Sequence, residues 1–375
     1  MILRRFVNIV AENLKGRYSL HRLGVSKHLF YPSTAEAKAA AAKAAGKNGN
    51  AGFRAPPTRR LKRLPPPCIN FHPSPSILSD RATLEIFALL CPSSSEGRVL
   101  CCGDSGRSLI YNADSHFVQT MPSIQGLKGR RPITISTGRP GDLEDLYVLT
   151  AGADFSCFHV LRFGGKDRAV HRPWERKAWH WDSLPLPPFN DAISSYTVVD
   201  GGRTICVSSE PNGFGTYCFD TVEREWWQVG DWVLPFEGRA EYVPNFKIWL
   251  GISSGRPYHL CATSDLSDMK QPPTLQHVLP HLNTPKNWLL SRANLISLGE
   301  GKFCVAKVFH EGVDSTGDEP EDSDSPGMEI IGSVFTALSG VELVTSGSSG
   351  DELGGLQVHK SVRYMFMEDM IQWEL

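Results

Sequence analysis

The sequence predicts an all-β protein, arranged as a β-propeller of most simply six blades and closed by pairing of its N- and C-terminal strands. Three observations predict it: short apolar runs bounded by turn residues, a regular spacing between those runs, and aromatic residues at matching places after them. The clearest unit lies between Ile193 and Gly251. Tyr196 to Val199, Arg203 to Ser208, Thr216 to Asp220 and Trp226 to Val229 are apolar or alternating runs, closed by turns such as Asp200-Gly201-Gly202 and Pro211-Asn212-Gly213. That is the punctuation of antiparallel hairpins. A sheet of four such strands cannot bury its aromatic face alone and stacks on copies of itself.

In chain order, Met1 to Lys27 carries six basic residues against the single acid Glu12. That balance would also suit an organellar transit peptide. Phe6 to Val10 and Tyr18 to Leu23 nevertheless flank Asn13-Leu14-Lys15-Gly16 as a hairpin does, so residues 1–30 are expected to supply strands that close the propeller. Residues 31–66 form an insertion. Its alanine-rich AEAKAAAAKAA predicts a short helix from Ala35 to Ala45, ended by Lys47-Asn48-Gly49-Asn50. A basic, proline-rich linker follows, and Arg59, Arg60, Lys62 and Arg63 are the candidate interaction residues for an anionic partner or a nuclear import signal.

Residues 67–375 carry the repeat. Turn-then-apolar runs start at Gly97, Glu144, Gly202, Phe246, Gly301 and Ser361, with steps of 47, 58, 44, 55 and 60 residues. Most are followed by a second apolar strand and an aromatic, as at Tyr111, Phe163, Phe219 and Tyr258. Tyr111, Trp181, Phe219, Asp220, Trp226 and Trp249 are the expected repeat positions, with the aromatics packing between blades. Glu311 to Glu329 has eight acids and no base, the composition of a disordered surface loop.

The step from Phe219-Asp220 to Trp226 resembles the kelch repeat, in which an apolar strand, two glycines and a tyrosine-aspartate turn lead seven residues later to tryptophan. Ser208-Ser209 stands where the paired glycines belong, Gly103 keeps one of the pair, and Val118 replaces the tryptophan after Tyr111. Nearly the whole chain is similar to a plant family, greatly expanded in grasses, named only as a domain of unknown function (number 1618). The resemblance is carried by VSKHLFYPSTAEA (Val25 to Ala37), SSYTVVDGGRTICVSS (Ser194 to Ser209), GTYCFDT (Gly215 to Thr221), GDWVLPFEGRAEYVP (Gly230 to Pro244) and the terminal RYMF and IQWEL. It implies the propeller and no activity.

Composition narrows function further. A net charge of −1 gives no global affinity for polyanions, so nucleic acid is not an expected partner. No apolar run reaches membrane-spanning length. The nine cysteines are scattered without a C-x-x-C pair and read as reduced core thiols of a cytoplasmic or nuclear protein, with a mitochondrial or plastid location as the alternative. No catalytic, cofactor-binding or metal-ligating set is expected. Gly103-Asp104-Ser105-Gly106 matches the nucleophile motif of trypsin-like proteases, but Arg107 replaces that motif's second glycine and no matching histidine motif exists, so turn chemistry explains it. His159, His180 and His259 read as packed strand residues. The expected function is a monomeric, non-enzymatic scaffold for a protein partner. The alternative is a carbohydrate-binding protein or hydrolase using the central face, with Asp200, Asp220 and Asp231 in play.

Overall fold

The computed structural model describes residues 3–45, 58–73, 83–126, 132–139, 143–152, 156–164, 177–209, 213–256, 258–264, 266, 271–282, 284–285, 287–311, 333–346, 353–366 and 369–375. Of these residues 58% are in strands and 6% in helices, an all-β fold.

A hairpin of β1 (Phe6–Asn13) and β2 (Tyr18–Gly24) opens the chain and turns where the Asn13 side chain accepts hydrogen bonds from the N–H groups of Lys15 and Arg17. After the short α1 (Val25–His28) comes α2 (Thr34–Ala45). Ser33 caps it: Ser33 Oγ accepts from the Glu36 N–H and donates to Glu36 Oε1. Next are β3 (Arg59–Leu61) and β4 (Pro67–Phe71). Four consecutive meanders follow. They are β5 (Leu84–Leu89) to β8 (Phe117–Met121) through β6 (Arg98–Gly103) and β7 (Ser108–Asn112), then β9 (Ile133–Arg139) to β12 (Ala178–Ser183) through β10 (Leu143–Thr150) and β11 (Cys157–Gly164). The third runs β13 (Ser195–Val199), β14 (Thr204–Ser208), β15 (Thr216–Asp220), β16 (Trp226–Gly230), and the fourth β17 (Phe236–Val243), β18 (Ile248–Ser253), β19 (Leu260–Thr263), β20 (His277–Leu279). A fifth has longer strands, β21 (Trp288–Gly299), β22 (Lys302–Glu311), β23 (Val334–Thr345) and β24 (Leu353–Met365), and β25 (Asp369–Glu374) ends the chain.

The sixth group of four mixes both chain ends in the order β25-β1-β2-β4, with Ile9 opposite Glu374 and Val10 opposite Trp373. Among the described residues the backbone pairs these groups into five separate sheets, one of them eight-stranded through a parallel β13/β17 contact, and not into one closed belt. Packing supplies the continuity. Successive residues of a strand face opposite ways, so Val99 and Cys101 of β6 join the core with β1, β2 and β4, while Leu100 and Cys102 join the core with β10 and β11. The same sharing continues from β9–β11 to β14 and β15, from there to β17–β19, and on to β21–β24. Cys304, Ala306 and Leu338 of that last group then pack on Val7, Ile9 and Leu23 of the first hairpin.

Three expectations change. The run beginning at Ser361 is not the core strand of its own unit: it lies in β24, the fourth strand of the meander that already holds the Gly301 run in β22. Arg59-Arg60-Leu61 is not linker but a strand, pairing parallel to β24 at Val362, Arg363 and Tyr364. The cysteines are not all reduced: Cys206 and Cys218 are disulfide-bonded. The β14/β15 register sets them directly opposite, Cα atoms 4.2 Å apart, the close approach of a non-hydrogen-bonded antiparallel pair. Residues 312–329 of the acidic loop lie outside the described residues.

Candidate functional site

The first strand of every meander, together with β25, is the end strand of its group of four, and these six strands border one cavity of about 260 Å³, open to solvent. Its charged wall comes from places far apart in sequence. Arg239 and Glu241 project two residues apart from β17 and form an ion pair, Nε to Oε1 at 3.0 Å. Arg292 of β21 reaches Glu374 of β25 at 2.9 Å and also donates to the Ile371 carbonyl, while Asn294 Nδ2 donates to the Glu374 carbonyl at 2.8 Å. Both glutamates on this wall are therefore engaged by arginines.

Arg4 differs. Its backbone N–H is tied to the Leu298 carbonyl at 2.8 Å and the residue is 8% exposed, yet its Nε and Nη1 are buried with no hydrogen-bond partner. Burial pulls its pKa down to about 10, with Glu241 opposing the shift and Arg239 adding to it, so the group is still a cation near neutrality.

A second concavity, about 450 Å³, lies beside β3 and is lined by His28, Arg59, Arg60, Leu61, Lys62, Arg63 and Val362. The four basic side chains belong to exposed residues, and no carboxylate pairs with them among the described residues. Burial first, and then Lys27, Arg59 and Lys360, lower the pKa of His28, which records the positive field at this edge.

The family model described as "Protein of unknown function (DUF1668)" matches residues 4–364. The chain belongs to the DUF1668 family. The number differs from the 1618 that the sequence suggested. No curated protein matches. Among solved structures, a protein of unknown function from Bacteroides thetaiotaomicron VPI-5482 is similar at 12% identity and TM-score 0.37, over 61% of this chain and 52% of that one, so the DUF1668 chain matches about half of its length. The β-propeller domain of Myceliophteria thermophila Cps50 (Swd1) is similar at 12% identity and TM-score 0.31, over 67% and 76% of the two chains. The WD40 domain of SCAP from fission yeast is similar at 10% identity and TM-score 0.33, over 83% and 71%. At those scores the architecture rests on this chain's own strand order and packing.

In the DUF1668 chain the repeat residues lie away from the cavity wall. Trp181 Nε1 donates to the Pro122 carbonyl at 3.0 Å and Trp226 Nε1 to the Pro185 carbonyl at 2.9 Å, in each case from the fourth strand of a meander to the segment just after the fourth strand of the preceding one. Trp226 also packs on Phe158 and Phe219. Trp249 is buried and donates to the Val198 carbonyl, and Tyr111 donates to the Cys68 carbonyl in β4. Burial alone would raise the Asp220 pKa, but the N–H groups of Glu223 and Val222 and the Arg203 guanidinium hold it below the usual carboxylate value, as a turn-capping aspartate.

Asp200 accepts from Thr204 and Asp231 from Gln228, and none of Asp200, Asp220 and Asp231 lines the cavity. Gly103 to Gly106 is a tight turn, with Gly106 at φ +77° and its N–H on the Gly103 carbonyl. Among the described residues no three of His, Cys, Asp and Glu are grouped to hold a metal ion, and no helix is long and apolar enough to cross a membrane.

Sequence reasoning missed the cavity residues. One signal was present: Gly238-Arg239-Ala240-Glu241 and Ser291-Arg292-Ala293-Asn294 repeat an arginine, an alanine and a polar residue on the first strands of consecutive meanders.

Proposed function

We propose that the DUF1668 chain is a six-bladed, kelch-like β-propeller that acts as a non-enzymatic, monomeric scaffold, taking an acidic surface of a protein partner at the basic edge around β3. The ring is supported by six end strands around one cavity and by cores shared from each group of four to the next. The kelch-like type is supported by the Phe219-Asp220 turn and Trp226 on β15 and β16.

The observation that carries the binding reading is the concentration of Arg59, Arg60, Lys62 and Arg63 at one concave edge, with no carboxylate paired to them among the described residues. Unpaired surface charges steer encounter and select complementary partners more than they build affinity. An acidic protein fits better than a phosphate polymer because the basic residues sit at one short edge and the chain as a whole carries −1. A cytoplasmic or nuclear partner suits this reading.

The test is capture from native tissue with wild-type protein and with an R59E/R60E/K62E variant at about 50 and 300 mM salt. A partner held by wild type at low salt, and released both by the variant and by high salt, is the expected outcome, since screening beyond a Debye length of ~10 Å removes exposed-charge attraction. Equal capture by the variant would overturn the site. Saturable turnover in a hydrolase panel, abolished by replacing Glu241 or Glu374, would overturn the non-enzymatic reading.

A further inference from the structure

We infer that the partner engages the basic edge as an extended acidic segment that adds to β3 as a further strand. The inference rests on the reading of β3 as the partner site and specifies how that site is filled.

Strand β3 ends the sheet order β21-β22-β23-β24-β3 and pairs, parallel, with β24. Among the described residues its other edge therefore carries no partner strand. Such an edge presents backbone N–H and C=O groups that another chain can take up. The outer end strands of the other groups, β4, β8, β12, β16 and β20, are also end strands of their sheets but contain no lysine or arginine. In β3, by contrast, Arg59 and Arg60 are both exposed, and the exposed Lys62 and Arg63 follow directly. Positive side chains along an edge repel a second copy of that edge and disfavour a neutral or basic strand, which would leave the cations unmatched. An acidic strand is the one they favour.

The two faces of β3 narrow the class further. Successive residues of a strand point to opposite sides. Leu61 packs on the core that holds Val362 and Tyr364, so Arg59, in register with Val362, lies on that side. Arg60 lies on the other side, in register with Arg363, whose guanidinium stands 5.0 Å from the Phe335 ring centre. A single phosphate group would need cations converging on one side of the strand. Cations divided between the two sides suit a ligand whose own charges alternate, as the side chains of an extended acidic peptide do. Backbone hydrogen bonds along the edge then supply affinity, and the ion pairs on both faces supply selectivity.

The experiment titrates the full chain, by calorimetry at constant ionic strength, with an acetylated and amidated VEEVEEV peptide, its neutral isostere VQQVQQV, a fully N-methylated VEEVEEV, and tripolyphosphate. N-methylation removes the backbone donors and keeps the charges. Saturable VEEVEEV binding is expected, with affinity at least about tenfold lower for the isostere, for the N-methylated peptide, and for VEEVEEV on an R59Q/R60Q variant. Amide hydrogen exchange in β3 should slow when VEEVEEV binds. No saturation by VEEVEEV up to about 2 mM, or equal affinity for VQQVQQV, would overturn the inference. Tighter binding of tripolyphosphate would overturn the peptide class. Equal affinity for the N-methylated peptide, with both acidic peptides lost in R59Q/R60Q, would overturn strand addition while the acidic-partner reading of the edge stands. Unchanged exchange in β3 with VEEVEEV bound would also overturn strand addition.

Discussion

Lys307 shows at the level of one residue how burial sets a pH response. It stands in β22 at 1% exposure, with Nζ donating to the Tyr258 carbonyl at 2.6 Å, and burial pulls its pKa down to about 7. His259 and His281 lie close enough to feel it: burial first, and then the Lys307 charge, lowers both. A base whose folded pKa lies below its unfolded value binds more proton when unfolded, so stability rises with pH across the window between the two. For Lys307 that window runs from about 7 up to the unfolded lysine value of ~10.4. Its contribution is fully present above the window and lost as pH falls through it. Replacing the amine with a similar apolar chain in Lys307→Met removes this titration. Urea midpoints should therefore rise less between pH 7.5 and 9.5 in the variant than in wild type, and the variant should be at least as stable at pH 7.5. Parallel rises in both proteins would show that the amine is not desolvated in the folded chain.

At the level of the element, the tryptophans on β12 and β16 tie neighbouring meanders together through Pro122 and Pro185. Trp226→Phe keeps an aromatic ring against Phe158 and Phe219 and loses the indole donor, a cost of ~1 kcal/mol for one hydrogen bond. Trp226→Ala also loses the ring contacts, and because this side chain is only half-buried its cost should fall somewhat below the ~3–5 kcal/mol of a fully buried tryptophan. Thermal melts should rank wild type, Trp226→Phe, Trp226→Ala in falling order; an unchanged melt for Trp226→Ala would remove the latch from the account. Such elements were legible for a physical reason. The second strands β6, β10, β14, β18 and β22 are buried on both faces, so they appear in sequence as continuous apolar runs that need no knowledge of their neighbours. The Ser361 run was misassigned because Val362, Tyr364 and Met365 stand out as apolar in sequence, whereas in β24 Val362 and Tyr364 are buried and Arg363 and Met365 only half-buried. The cavity was not legible, since Arg4, Arg239, Arg292 and Glu374 come from different strands and meet only after the meanders pack. Strand β3 escaped for a related reason: three residues, two of them arginine, carry no periodicity, and the pairing is dictated by the open edge of β24.

Across the whole molecule, the group that combines both chain ends determines whether the stack of sheets has exposed apolar faces. Val7, Ile9 and Leu23 cover the core face of β21–β24, while Val10, Tyr18 and Leu20 cover that of β5 and β6. All six are nearly or fully buried, and at roughly 1.5–3 kcal/mol per large apolar side chain their removal approaches the whole stability of an ordinary domain, ~5–15 kcal/mol. Deleting residues 1–23 also strips β25 and β4 of the strands they pair with, leaving unpaired edges that favour association. The truncated chain should therefore lose its cooperative melt, bind the dye ANS and elute as aggregates, the behaviour of a chain that keeps secondary structure without fixed packing. Supplying the missing residues as a separate peptide during refolding should restore part of the monomeric, cooperatively melting species, because strand addition to an open edge reuses the native backbone hydrogen bonds. A truncated chain that melts cooperatively at the full-length temperature would show that the first hairpin contributes no core and that the faces of β5–β6 and β21–β24 are covered in some other way.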